Sequence, residues 1–169
     1  LNMSKIVTFN RTGGPEVLEI IDVQVPAPAA GEVQIRVHAI GLNRAEIMYR
    51  NGQYVIEPEF PARLGYEAAG VVEAVGENSE NFAKGDLVSV IPSFMFNEYA
   101  MYGELVNAPV HAVVKHPDNL SFEEAAASWM MYVTPYGALV EYGNLQAGQN
   151  VVIRAASSSV GLAAIQIAN

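Results

Sequence analysis

Between residues 32 and 40 the chain alternates: Val33, Ile35, Val37 and Ala39 share one face, and Gln34, Arg36 and His38 share the other. A two-residue period with one apolar face marks a half-buried strand, so His38 is expected to face solvent rather than to act as a ligand. Shorter runs follow the same logic on either side. Lys5–Phe9 is a strand closed by Thr12-Gly13-Gly14-Pro15, and Val17–Val25 is a second run ended by Pro26-Ala27-Pro28. Ala68–Val75 is an apolar strand between Gly65 and Gly76, and Gly70 inside it predicts a bulge or bend. Leu87–Ile91, Glu98–Val106 and Ala112–Lys115 complete the set. Many short strands separated by Gly and Pro turns predict a mainly β domain built as a partly closed barrel.

Helical signals are fewer and better marked. Asn43-Arg44-Ala45-Glu46 has the spacing of an N-cap with its reciprocal acid, which predicts a short helix to Arg50. The stretch from Gly52 through Glu57-Pro58-Glu59-Phe60-Pro61 reads as a loop. After Pro117 the period changes. Ser121-Phe122-Glu123-Glu124 is a capping box before Ala125-Ala126-Ala127, and Trp129–Tyr142 reads as a second helical stretch, with Pro135 near its start or at a break. Gly143–Gly148 is a loop, and Asn150–Arg154 is a strand that opens a strand–helix unit. The expected organisation is therefore a β domain over residues 1–125 and an α/β domain that begins at 126–169 and is incomplete.

Composition narrows the classes of function. The 169 residues are 51% hydrophobic and 16% charged, ample for a packed core. Nine Lys and Arg against eighteen Asp and Glu give a formal charge of −9, with no basic run, which argues against nucleic acid as a partner. No apolar run approaches the roughly 20 residues of a membrane span, so no membrane role is expected and a cytoplasmic location is the default. There is no cysteine, which removes disulfides, thiol nucleophiles and thiolate metal sites. His38, His111 and His116 have no ligand-like spacing, and no metal site is expected from them.

The last stretch carries the candidate chemistry. Val151-Val152-Ile153-Arg154 leads through Ala155-Ala156-Ser157-Ser158-Ser159-Val160-Gly161 into Leu162-Ala163-Ala164-Ile165-Gln166-Ile167-Ala168. A β-branched run, a small-residue turn and an apolar helix place free N–H groups at a helix start, where a phosphate can bind. The glycine-rich fingerprint for dinucleotides uses small residues for a tight turn, for close backbone approach and for helix packing. Here the small positions are Ala155, Ser158 and Gly161, so serines stand where glycines are usual. A serine Cβ limits left-handed backbone and crowds a close approach, while its hydroxyl can donate to a phosphate. An ordinary small-residue turn is the competing explanation.

Several ordered motifs carry a wider resemblance. They are Gly41-Leu42-Asn43; Leu64-Gly65-Tyr66-Glu67-Ala68-Ala69-Gly70-Val71-Val72-Glu73-Ala74-Val75-Gly76; Lys84-Gly85-Asp86-Leu87-Val88; Val133-Thr134-Pro135-Tyr136-Gly137-Ala138-Leu139; and Ala147-Gly148-Gln149-Asn150-Val151-Val152-Ile153 with the helix that follows. Together they resemble the medium-chain dehydrogenase/reductase superfamily over essentially the whole chain. The resemblance implies a GroES-like barrel followed by the first strand–helix unit of a Rossmann domain. Zinc-type alcohol dehydrogenases of the superfamily hold catalytic zinc with a cysteine and a histidine. Asn43 and Tyr66 stand at those positions, and neither is a good zinc ligand. The chain is therefore similar to the zinc-independent quinone oxidoreductase, or zeta-crystallin-like, branch.

That branch implies hydride transfer from NADPH (an NADP cofactor, without zinc) to a small-molecule quinone or an enal or enone. The expected catalytic residues are Asn43, Tyr54 and Tyr66. The expected cofactor contacts are Asn43, Thr134, Ala155, Ser158, Ser159, Val160 and Gly161. Asn43 reads equally as a helix cap, Tyr54 as a loop aromatic and Thr134 as a helix-start hydroxyl. The residue that separates NAD from NADP lies roughly 20 positions past the loop, beyond Asn169. The isolated stretch is expected to be inactive, and an oligomer is left open. Two alternatives stand beside this reading: a non-catalytic barrel or binding module, and a zinc-dependent alcohol dehydrogenase.

Overall fold

The alternating stretch becomes β3 (Glu32–Ile40), the strand on which the larger of two sheets is organised. The structure is a computed structural model and describes residues 2–169. These divide into two compact units, Leu1–Ala127 and Ser128–Asn169. In the first unit, β1 (Asn2–Phe9) is central to a three-stranded antiparallel sheet, between β2 (Glu19–Val25) and β4 (Ala62–Arg63). The second sheet pairs β3 with β5 (Ala68–Val75) on one side and with β7 (Leu105–Pro109) on the other. Its order is completed by β6 (Leu87–Val90) and β8 (Val113–Lys115) beyond β5, all antiparallel.

Neither sheet closes on itself, so the partly closed barrel expected from the strand spacing is two open sheets joined by backbone. The joint is residues 102–104, where the sequence predicts strand from Glu98. Val7 N–H donates to the Tyr102 carbonyl (3.0 Å), Glu104 N–H donates to the Lys5 carbonyl (2.9 Å), and Val37 N–H donates to the Glu104 carbonyl (2.9 Å). A backbone that bonds β1 and β3 in turn cannot hold one ladder, and regular pairing with β3 starts only at Leu105.

The bend expected at Gly70 is present. Val37 pairs with Gly70 and Ala39 with Ala69, which leaves His38 as an extra residue on β3. His38 is exposed, as alternation predicts, and its ring stacks on Phe122 at 4.4 Å. Gln34 departs from the pattern: it is buried, and its Nε2 donates to the Pro26 carbonyl (2.9 Å) and to Asn107 Oδ1 (3.1 Å). An amide whose N–H donors are both partnered can occupy an interior position that alternation assigns to solvent. Phe9, Val33, Ile35, Val72, Val88, Val90 and Met101 are among the fully buried apolar residues of this unit.

Helix α1 (Arg44–Arg50) and helix α2 (Phe122–Tyr136) start where their caps predict. Ser121 N–H donates to Glu124 Oε2 (2.9 Å) and Glu124 N–H donates to Ser121 Oγ (3.1 Å). The two helical stretches expected from Ser121 to Tyr142 are one α-helix followed by a π-helical turn, Gly137–Tyr142. Pro135 lies just before that turn; it removes a donor and crowds the preceding carbonyl, which favours a widened turn.

In the second unit the final helix is α3 (Ser159–Ala168). The strand expected at Asn150–Arg154 is not formed. A strand of a parallel sheet needs a neighbour to take its N–H and C=O groups, and among the described residues none pairs with 150–154. Val152 is 93% exposed. Among the described residues no helix is long and apolar enough to cross a membrane.

Candidate functional site

The cap of α1 does more than start a helix. Asn43 N–H donates to Glu46 Oε2 (2.8 Å), the reciprocal bond that the spacing predicts. The other oxygen, Glu46 Oε1, accepts from Tyr66 N–H (3.3 Å). One carboxylate thus ties the backbones of two predicted site residues that are twenty-three positions apart in sequence. The Asn43 side-chain Nδ2 donates to Glu67 Oε1 (2.9 Å), and the Tyr102 hydroxyl donates to the Gly41 carbonyl (3.1 Å). Glu46 is 4% exposed and Glu67 2%. Desolvation outweighs the backbone bonds at Glu46 and pushes its carboxyl up to about 7, with nearby Glu67 adding to the rise.

Tyr66 reaches this place because of Gly65. That glycine takes φ +109, and a Cβ on it would lie 2.4 Å from the Tyr102 ring and 2.7 Å from the Tyr102 backbone nitrogen. Met101 N–H donates to the Gly65 carbonyl (3.0 Å) and Tyr102 N–H to the Leu64 carbonyl (2.9 Å), which locks the close approach. The Tyr66 ring stacks on Phe96 at 3.8 Å, and Tyr54 lies 6.2 Å from Tyr66 and 5.6 Å from Phe96 between ring centres. Phe94 and Tyr49 extend the same aromatic group. The Tyr66 hydroxyl donates to the Met95 sulfur (3.6 Å), a weak acceptor. Burial, with the Tyr54 hydroxyl adding to it, raises the Tyr66 pKa far above its ordinary value, so the phenol remains a neutral donor.

The small-residue loop of the second unit is a tight turn. Ala155 takes φ +50, the left-handed position for which a glycine is the unstrained choice. Ser158 N–H donates to the Ala155 carbonyl (2.9 Å), and Ser158 caps α3 by accepting from Gly161 N–H (3.1 Å). A Cβ on Gly161 would lie 2.6 Å from the Ala155 carbonyl oxygen and 2.7 Å from Ala156 Cα. Gly161 therefore has the packing role that the sequence assigns it. Ser158 spends its hydroxyl as acceptor on the helix, which leaves the first-turn N–H groups of Ser159 and Val160 without intrahelical partners. Thr134 is exposed and donates to the Met130 carbonyl (3.0 Å) one turn back within α2, not at a helix start.

These side chains do not make a zinc set. The Asn43 amide nitrogen is on Glu67, its remaining oxygen is a weak ligand, and the Tyr66 phenol is held protonated. The dinucleotide turn fits better: Gly161 lets the loop backbone lie close against α3, and the α3 start offers N–H groups to a diphosphate.

Asn43, Tyr54 and Tyr66, the residues that the resemblance implies as catalytic, lie in one neighbourhood of the first unit, held there by side chains that the resemblance does not name. Glu67 could have been found, since an acid at the start of the apolar run Ala68–Val72 must be partnered if that run is buried. Phe94, Met95 and Phe96 follow Pro92 in an irregular segment with no periodic signal.

The family model for the alcohol dehydrogenase GroES-like domain matches residues 29–155. Human quinone oxidoreductase is 43% identical over 159 residues, covering 92% of this chain and 46% of the relative. The crystal structure of the human synaptic vesicle membrane protein VAT-1 homolog-like protein superposes with a TM-score of 0.91 at 36% identity, covering 98% of this chain and 52% of that one. Escherichia coli quinone oxidoreductase, solved in complex with NADPH, gives a TM-score of 0.85 at 32% identity over 97% of this chain and 49% of its own. The chain spans about half the length of the curated relatives it matches.

Proposed function

Because this chain belongs to the alcohol dehydrogenase GroES-like family, within the medium-chain dehydrogenase/reductase superfamily, we propose that it forms part of an NADPH-dependent oxidoreductase that reduces a quinone or a polarised C=C or carbonyl group without zinc. The observation that carries this reading is the Tyr66 hydroxyl: buried, neutral, donating to a thioether and with the Tyr54 hydroxyl beside it. Such a donor exchanges its weak partner for a substrate oxygen at little cost.

When bound, NADPH supplies the hydride. The turn Ala155–Gly161 would hold the cofactor's diphosphate, with the Ser159 and Val160 N–H groups as donors and Gly161 keeping the turn tight. Thr134 offers a further exposed hydroxyl. Tyr66, with Tyr54 beside it, donates to the substrate oxygen on which negative charge develops as an enolate or quinol forms. Asn43, fixed through Glu46 and Glu67, keeps one side-chain N–H to orient the reacting groups. The buried, stacked rings of Tyr49, Tyr66 and Phe96 hold the Tyr66 hydroxyl in position.

The test is steady-state NADPH oxidation by the full-length protein with 1,4-benzoquinone and, separately, with an α,β-unsaturated aldehyde. Oxidation that depends on either acceptor is expected. No acceptor-dependent oxidation with both, alongside turnover of simple alcohols, would overturn the reading.

A further inference from the structure

We propose that Met95 is an oxidation-sensitive regulatory site: a hydroperoxide converts its thioether to the sulfoxide, whose oxygen takes the Tyr66 hydroxyl and withholds it from the substrate. This deepens the proposed function and rests on Tyr66 acting there as the donor. Met95 stands between two buried rings, Phe94 and Phe96, both in the aromatic group around Tyr66. The residue itself is 44% exposed. Its backbone is fixed: Met95 N–H donates to Glu98 Oε2 (2.8 Å), and its carbonyl accepts from the N–H groups of Glu98 (2.9 Å) and Tyr99 (3.1 Å). The sulfur accepts from the Tyr66 hydroxyl at 3.6 Å, in a bond that is only partly buried. Met95 thus meets both solvent and the candidate donor.

The chain has six methionines and no cysteine, so thioethers are its only sulfur. Met101 is fully buried, whereas Met3 and Met48 are exposed as Met95 is. What sets Met95 apart from those two is the hydroxyl on its sulfur. In the oxidation step the sulfur gives two electrons to the peroxide O–O bond and keeps one oxygen, while the other leaves as water. A thioether accepts hydrogen bonds weakly, and the oxygen of the polar sulfoxide accepts them well. Before oxidation the Tyr66 hydroxyl leaves its sulfur partner at little cost. Afterwards it must break a full hydrogen bond to reach a substrate oxygen. Methionine sulfoxide reductase, driven by a thiol, returns the oxygen as water and frees the donor.

The test treats full-length protein with hydrogen peroxide, removes the excess with catalase, and takes three readings. Peptide masses are expected to show one added oxygen on Met95, with Met3 and Met48 as comparisons. Tyrosine ultraviolet absorption is expected to shift to the red, as a phenol donating to a stronger acceptor does, and Tyr66→Phe should lack the shift. With 1,4-benzoquinone, kcat for NADPH oxidation is expected to fall about 10-fold, the worth of one net hydrogen bond. It should recover after treatment with methionine sulfoxide reductase and dithiothreitol followed by desalting. Met95→Leu, whatever its starting rate, should keep most of that rate after peroxide. Met95 left unoxidised while Met3 is oxidised, a Met95 sulfoxide without the tyrosine shift, or an equal fractional loss in Met95→Leu each overturns the proposal. Untreated protein inactive with either acceptor counts against the proposed function instead, and the mass and absorbance readings still decide whether Met95 captures the hydroxyl.

Discussion

At the scale of single residues, the Tyr66 hydroxyl faces a sulfur where an oxygen would hold it more firmly, and its phenol cannot ionise near neutrality. If it donates to a developing oxyanion, Tyr66→Phe should lower kcat by about 10²-fold in the full-length protein, with a smaller effect on KM. Steady-state kinetics with the quinone acceptor would measure this, and an unchanged kcat would assign the role elsewhere. Glu46 makes a different prediction. Its folded pKa stands at about 7 against an ordinary 4.5, raised first by desolvation. Between those values the folded state holds a proton that the unfolded state has released, so stability falls as pH rises through the window. The loss attributable to this group is at most about 3 kcal/mol. Urea unfolding of the wild type and Glu46→Gln across pH 4.5 to 7 should show the downward slope in the wild type only; parallel profiles would contradict it.

At the scale of elements, capping was the most readable signal. The reciprocal bonds of Asn43 with Glu46 and of Ser121 with Glu124 involve residues three apart, and neighbours in sequence suffice to predict them. The segment 98–104 was not readable, because its hydrogen bonds are shared between β1 and β3, which lie far away in sequence. Residues 150–154 show the converse: Val151, Val152 and Ile153 favour a strand, yet no strand forms without a ladder partner. The candidate site divides the same way. Asn43, Tyr54 and Tyr66 were legible from resemblance, whereas the Glu46 bridge to Tyr66 depends on the turn at Gly65. The tight loop ahead of α3 also yields a test. Gly161→Ala places a methyl 2.6 Å from the Ala155 carbonyl, so a loss of about 1–3 kcal/mol is expected, with weaker NADPH binding. Thermal unfolding and a fluorescence titration with NADPH would check both.

At the scale of the whole molecule, the proposed function assigns the substrate's hydrogen-bond donor to the first unit and the diphosphate turn to the second. Family membership rests on a match that spans both units, residues 29–155. The central proposal is that hydride transfer by the full-length protein would need no zinc, because the positions at issue carry an amide committed to Glu67 and a phenol that stays protonated. The most direct measurement is NADPH oxidation with 1,4-benzoquinone by full-length protein after exhaustive chelation, with metal content determined on the same sample. The expected result is full activity at a zinc content far below one per chain. Activity lost on chelation and restored by added zinc would contradict it.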